Sequence, residues 1–125
     1  MIRTLKQTDY NVTKHLFNDV FDMSEFPHFV DAWASRDDSP SFWMEGALVG
    51  AALVGTNKLH YIFIHEDYRD HGIGTKLLNA VIAAYPTIYL QSVDDPNVKK
   101  WYVKNGFRQS VGCVYVRHEH NLRPK

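Results

Sequence analysis

The sequence predicts a mixed α/β fold: a sheet of about seven strands with about four helices on its faces. Three observations predict it. An apolar run at 59–64, a glycine-containing loop at 69–74, a helical pattern at 75–84 and a second apolar run at 88–92 make a βαβ unit. Elsewhere apolar residues recur at helical spacing in three further stretches. The remaining apolar segments are short and bounded by Gly, Asn, Asp and Pro, the punctuation of strands and hairpins.

Taken in order, residues 2–5 alternate as a short strand. Thr8 or Asp9 can cap a helix whose Val12, Leu16, Phe17 and Val20 share a face. A second helix falls within 26–35, with Phe26, Phe29, Val30 and Trp33 on one stripe and Pro27 near its start. Residues 36–40 read as a loop. Strands follow at 41–45 and 47–54 around Gly46, and Gly55-Thr56-Asn57 closes the next hairpin. Residues 59–64 are apolar on both faces, as in a buried central strand. The helix at 75–84 buries Leu77, Leu78, Val81 and Ile82 and is stopped by Pro86. The strand at 88–92 should lie parallel to 59–64 through a right-handed crossover. Asp95 caps the last helix, Pro96 takes its first position, and Gly106 ends it after Lys104. Strands at 107–111 and 113–118 turn near Gly112 and finish the sheet.

The chain has 125 residues, 45% hydrophobic and 22% charged, which suits one globular domain over 1–125 with its own core. Fourteen Lys+Arg balance fourteen Asp+Glu, so net charge argues for neither a nucleic-acid nor a membrane partner. The single cysteine, Cys113, excludes an intrachain disulfide framework and a multi-cysteine zinc site. The opening MIRTLKQTDY lacks a signal peptide's apolar run, and no apolar stretch is long enough to span a bilayer. A soluble, cytoplasmic protein is the expectation. The charges are unevenly placed: residues 1–57 carry 4 basic and 8 acidic residues, and residues 58–125 carry 10 and 6.

Arg69-Asp70-His71-Gly72-Ile73-Gly74 lies directly after a strand and before a helix. Glycines let the chain turn tightly and bring backbone N–H groups to a ligand. The helix start adds unpaired donors and a positive dipole end, which suits a phosphate or pyrophosphate. Two nucleotide motifs fail here. The dinucleotide fingerprint needs a Gly or Ala where Leu77 stands. The P-loop needs Gly-Lys-Ser/Thr, whereas Gly74 is followed by Thr75-Lys76.

A third pattern fits. Arg69-x-x-Gly72-x-Gly74, with Tyr68 before it and Leu77-Leu78 after it, resembles the coenzyme A loop of the GNAT superfamily of N-acetyltransferases. Trp101-Tyr102-Val103-Lys104-Asn105-Gly106-Phe107 is similar to that family's closing helix-to-strand signature. Ile2-Arg3 with Asp9 resembles its usual start.

The resemblance implies that the parallel strands at 59–64 and 88–92 splay apart and hold the pantetheine arm of acetyl-CoA, the co-substrate. The segment Ile62, Phe63 and Ile64 would offer backbone donors, with the Ile62 N–H nearest the thioester carbonyl. The amides of Arg69, Asp70, His71, Gly72, Ile73, Gly74 and Thr75 would cradle the pyrophosphate. Lys100 and Lys104 would meet the outer phosphate. Asn97 would meet the pantetheine, although the family's usual asparagine position holds Asp95 here.

The chemistry of amide formation sets what is needed, and the resemblance implies which residues supply it. An alkylamine of pKa near ~10 must lose a proton before it attacks a thioester. The departing thiolate benefits from a proton, and Tyr102 matches the family's general acid. His60 stands where some family members have a histidine that deprotonates the amine, and alternation from Ile62 would point both to one side of the strand. Glu45 and Asp31 are alternatives for the base. Phe29, Trp33, Glu45 and Ser92 are candidates for the acceptor pocket, because the first two helices and their loop form one wall of that site in the family. The acidic first half suits an ammonium-bearing acceptor, and the basic second half suits the phosphates.

Cys113 reads as a small buried hydrophobe, which favours direct transfer in a ternary complex. His118-Glu119-His120 lacks further ligands, so no metal is expected. The resemblance admits a monomer or a homodimer. Two other functions fit the same residues: a non-catalytic acyl-CoA-binding sensor or interaction module, and a phosphate-binding domain indifferent to coenzyme A.

Overall fold

Two left-handed turns set the middle of the sheet. Glu45 and Gly46 (φ 52° and 80°) join strands at Pro40–Met44 (β2) and Ala47–Gly55 (β3), and Thr56 and Asn57 (φ 54° and 61°) join β3 to Lys58–Ile64 (β4). Positive φ at both central residues matches the twist of the flanking strands. The structure is a computed structural model that describes residues 1–118.

The other elements are β1 (Ile2–Thr4), α1 (Tyr10–Val20), α2 (Phe26–Ala34), α3 (Ile73–Ala84), β5 (Ile88–Gln91), α4 (Pro96–Lys104), β6 (Arg108–Val111) and β7 (Val114–Arg117). One seven-stranded sheet runs in the order β1-β2-β3-β4-β5-β7-β6. Every neighbouring pair is antiparallel except β4 and β5. This is the mixed α/β architecture that the sequence predicts.

Period-2 alternation sends β3 side chains to two cores. Ala51 and Leu53 join Leu16, Phe17, Phe29 and Trp33 under α1 and α2. Ala52 and Val54 join Leu78, Val81, Ile88, Leu90 and Phe107 beneath α3 and α4. Burying such residues stabilises the fold at roughly 25 cal/mol per Å² of apolar surface. Asp9 locks the first turn: its carboxylate accepts from both Arg3 guanidinium nitrogens (2.9 and 3.1 Å) and from the Lys6 N–H (2.7 Å).

Several boundaries differ from expectation. The third helix begins at Ile73 rather than Thr75, because left-handed Gly72 (φ 76°) serves as its N-cap and brings Gly74 and Thr75 into the first turn. Strand β4 is not buried throughout: Ile62 and Ile64 are half-buried, since the sheet opens beside them. Cys113 lies with Gly112 in the turn between β6 and β7, half-buried, rather than inside a strand. Residues 119 and 120 of the His118-Glu119-His120 run lie outside the described residues.

Candidate active site

The site starts at a break in the sheet. Strands β4 and β5 pair only at Lys58↔Tyr89 and Leu59↔Leu90. The Tyr89 N–H still donates to the Asn57 carbonyl at 2.9 Å, while further along β5 turns fully to β7, with Ser92 N–H donating to Cys113 at 2.7 Å. Beyond Leu59 and Leu90 the two strands share no further rungs. The wedge opens into a cavity of about 1120 Å³. Its lining includes Ile62, Phe63, Ile64, Arg69, Asp70 and Gly74 on one flank and Leu90, Ser92, Trp101 and Tyr102 on the other.

Backbone direction follows from one hydrogen bond. The His65 N–H donates to Val49 of β3 at 2.8 Å. Peptide groups alternate along a strand, so the Phe63 N–H also faces β3 and those of Ile64 and Ile62 face the open side. The two amides therefore lie along the wedge with no strand to pair them. An unpaired backbone donor on a cavity wall is an invitation to a ligand amide or carbonyl.

The loop ahead of α3 continues that row of donors. Asp70 and Gly72 are both left-handed (φ 66° and 76°), and the N–H groups from Asp70 to Thr75 find no acceptor among the described residues. Successive unpaired amides at a helix start form an anion-binding concavity. The Arg69 Nε–H donates to the Ile64 carbonyl at 3.3 Å, which fixes the loop against the end of β4. Unpaired strand amides, a cavity of this size and an amide-rich loop together fit a long ligand with an amide arm and a diphosphate.

Tyr102 reaches the cavity from α4, whose start is capped by the Asp95 carboxylate accepting from the Asn97 N–H at 2.8 Å. Its ring packs against Phe107 and Trp101 at centroid distances of 5.5 and 5.0 Å. The residue is only 7% exposed, and its hydroxyl has no partner among the described residues. Burial pushes its phenol up to about 12. A phenol held protonated on the wall of a cavity is suited to donate a proton.

His60 departs from the expected orientation. The β3–β4 ladder skips between Leu53↔Tyr61 and Val54↔Leu59, so His60 is the extra residue of a β-bulge. Leu59, not His60, shares a core with Ile62. The His60 ring instead lies by Gly55 near the C-terminal end of α2: its Nε2 is 3.5 Å from where a Gly55 Cβ would stand, and that Cβ would meet the Ser35 carbonyl. Burial, with a smaller effect from Lys58, lowers the His60 pKa below its ordinary value. It therefore presents a neutral imidazole at physiological pH.

The remaining candidates divide. Asp31 and Ser92 line the cavity, and the Ser92 Oγ donates to the Val93 carbonyl at 2.8 Å. Phe29 and Trp33 do not: they are 0% and 4% exposed and belong to the α1–α2 core, because their face of α2 is the one turned to β3 and β4. Glu45 is also outside it, spent on the left-handed β2–β3 turn and exposed. Asn97, Lys100 and Lys104 are exposed on α4 and are not among the cavity's lining residues. His71 is exposed, with its Nδ1 2.8 Å from the Arg69 carbonyl. The Ile73 side chain packs with Val49 and Leu77, leaving only its amide for a ligand.

Sequence reasoning missed Glu25, His28, Ser35 and Tyr61, which form the far wall with Asp31 and His60. The signal was present: residues 28, 31 and 35 recur at helical spacing on the face opposite Phe29 and Trp33. Tyr61 donates to Glu25 Oε2 at 2.9 Å, and burial together with that carboxylate raises its pKa.

Comparison with known proteins agrees with this geometry. The family profile described as "Acetyltransferase (GNAT) domain" matches residues 34–109. Among solved structures, the ribosomal-protein-S18-alanine N-acetyltransferase of Escherichia coli superposes with a TM-score of 0.78 at 19% identity, covering 94% of this chain and 92% of that one. Arabidopsis thaliana Naa50, solved with the bisubstrate analogue CoA-Ac-MVNAL, gives 0.70 at 20% identity, with coverages of 93% and 95%. The PaiA N-acetyltransferase of Thermoplasma acidophilum, solved with coenzyme A, gives 0.66 at 14%, also with coverages of 93% and 95%. At such identities these likenesses speak for the fold. No curated protein matches the chain. With the profile spanning more than half of its length, the chain belongs to the GNAT acetyltransferase family.

Proposed function

We propose that this protein transfers an acetyl group from acetyl-CoA directly to a primary amine, with both substrates bound at once. The observation that supports this best is the pairing of β4 with β5 over two rungs only, which leaves the Ile62 and Ile64 amides along a cavity that Tyr102 enters from the opposite flank. Family membership supports the same reading.

Acetyl-CoA supplies an acyl group already activated as a thioester. The chain supplies position, polarisation and protons. The unpaired amides of residues 70–75 hold the diphosphate at the start of α3. The Ile62 N–H points at the thioester carbonyl oxygen and stabilises negative charge that develops there. His60, kept neutral by burial, accepts the proton that the acceptor amine must shed, directly or through one water. The amine nitrogen then forms its bond to the acyl carbon, the carbon–sulfur bond breaks as the nitrogen sheds its second proton to water, and Tyr102 gives its hydroxyl proton to the sulfur and regains one from solvent. The opposed charges of the two halves of the chain draw the anionic donor and a cationic acceptor to their own sides.

The test is thiol release from acetyl-CoA across a panel of amines, together with calorimetric binding of coenzyme A. Amine-dependent release is the expected result. Tight coenzyme A binding without release on any amine would replace the enzyme with a binding module, and no affinity for coenzyme A would remove both.

A further inference from the structure

We infer that the Glu25–Tyr61 pair is a specificity device selecting acceptors with a second cationic group, an oligoamine rather than a simple monoamine. This deepens the proposed acetyl transfer and rests on it for the identity of the reacting end.

The cavity has two chemically distinct ends. One holds Tyr102, a residue only 7% exposed whose hydroxyl has no partner among the described residues, beside the wedge of unpaired amides. The other is the wall made by α2 and the turn before it, with Glu25, His28, Asp31 and Ser35. No lysine or arginine occurs between Lys14 and Arg36, whereas Asp19, Asp22, Glu25 and Asp31 do. Among the described residues two Lys or Arg side chains line the cavity, and both come from β4 and the loop after it: Arg69 donates to the Ile64 carbonyl, and the Lys58 ammonium lies 5.9 Å over the Tyr89 ring, where it also acts on His60. The α2 wall thus keeps its negative character.

Glu25 is the half-buried acid of that wall, and Tyr61 fixes it. The phenol donates to Oε2 at 2.9 Å, and the Tyr61 ring is held edge-on by Phe17 and Phe21 at 4.9 and 5.3 Å. A carboxylate oriented by one donor keeps lone pairs for a second. The reacting nitrogen is not that second donor in the proposed transfer: its proton goes to His60, which lies by Gly55 and the Ser35 carbonyl, at the other end of α2 from Glu25. A carboxylate at this end is therefore matched to an ammonium that does not react, while another amine of the same molecule reaches the thioester. Glu25 and Asp31 lie six positions apart, roughly 9 Å along a helix axis. That spacing suits an extended oligoamine better than a compact one.

The test compares n-butylamine, butane-1,4-diamine and spermidine as acceptors at fixed ionic strength, with wild type, Glu25→Gln and Tyr61→Phe. Calorimetric binding of spermidine to the coenzyme A complex of each runs alongside. Wild type should favour the oligoamines by about ten-fold or more in kcat/KM, the scale of one charge-assisted hydrogen bond. Glu25→Gln should raise KM for them and collapse the preference, and Tyr61→Phe should lower it part of the way with the ring packing intact. Spermidine should bind wild type at least ten-fold more tightly than Glu25→Gln. Binding of this kind with no thiol release on any amine would sink the acetyl transfer and leave the recognition standing. Equal kcat/KM for mono- and oligoamines, or equal spermidine binding by wild type and Glu25→Gln, would overturn the recognition whatever the turnover.

Discussion

Leu59 pairs with Leu90 at the last rung that joins the two parallel strands. Both side chains are buried in the α3–α4 core, at 3% and 1% exposure, so the sheet is closed on one side of this pair and open on the other. The β-bulge at His60 follows immediately, adding local twist where the strands part. Core packing behind the rung and an irregular backbone in front of it together set the place where the wedge opens.

Tyr102→Phe should lower kcat by about a hundred-fold or more, the usual scale of a general acid, with coenzyme A affinity retained. The ring contacts to Phe107 and Trp101 do not need the hydroxyl, so the variant should melt close to wild type. Because burial holds the phenol up at about 12, wild-type kcat should show no alkaline fall below pH 10. A pH–rate profile on both proteins checks these points. An unchanged kcat in the variant would remove Tyr102 from the chemistry.

His60→Asn should abolish the acidic limb of the profile. With its pKa below the ordinary histidine value, His60 loses its proton below pH 6.5, so wild-type kcat at saturating acceptor should rise through a midpoint under that value. The unfolded chain binds this proton more readily than the folded one. Its contribution to stability is therefore present above about 6.5 and lost as pH falls through the lower, folded value. Urea unfolding at pH 5 and pH 8 should show a smaller difference in the variant than in wild type. A limb that persists in His60→Asn would assign the proton acceptor elsewhere, with Asp31 the next residue to test.

Most of the scaffold was legible in the sequence because local signals and burial pattern agree. Leu77, Leu78 and Val81 keep helical spacing, Asp95-Pro96 starts α4, and Gly106 (φ 94°) ends it. The resemblance points to the 69–75 loop and the strand at 62–64, and the fold sets residues of both beside the cavity because their place in the order of elements fixes the backbone. Side-chain placement is less legible. Simple alternation misorients His60, because a bulge breaks the period of two and leaves no mark in composition. The resemblance puts one wall of the acceptor site on the first two helices, and an aromatic there looks alike facing a core or a pocket, whereas Phe29 and Trp33 face the core. The acidic wall at Glu25 depends on Tyr61, 36 positions away, a pairing that only the folded chain makes.

Asp9→Ala should destabilise the protein by about 2 kcal/mol in chemical denaturation, since it leaves the Lys6 N–H and the part-buried Arg3 guanidinium without their acceptor. The Arg3 hydrogen bonds hold the Asp9 carboxyl below its ordinary value. The carboxylate's contribution is thus complete above about pH 4 and lost as pH falls through the lower, folded value. Wild type should therefore lose more stability than Asp9→Ala between pH 5 and pH 2.5. The site is remote from the wedge, so coenzyme A affinity measured at pH 7 should not change.

Gly72 and Gly74 should respond differently to the same methyl group. A Cβ at Gly72 would meet nothing within 4 Å, but the residue holds φ at 76°, where an L side chain costs about 1–2 kcal/mol. Gly72→Ala should therefore lower stability by that amount, and it should also weaken coenzyme A binding by disturbing the row of amides before α3. Gly74 lies inside the first turn of α3 with no positive φ, and its Cβ would make ordinary contacts of 3.7 and 3.9 Å with Trp101. Gly74→Ala should fold with stability equal to wild type or slightly above it. Its methyl group would stand in the cavity beside Trp101, however, and should cut coenzyme A affinity several-fold. Thermal melts and calorimetric titration of both variants separate the two effects. Full coenzyme A affinity in both variants would mean that the loop does not hold the diphosphate, and destabilisation by Gly74→Ala would mean that Trp101 does not accommodate the added methyl group.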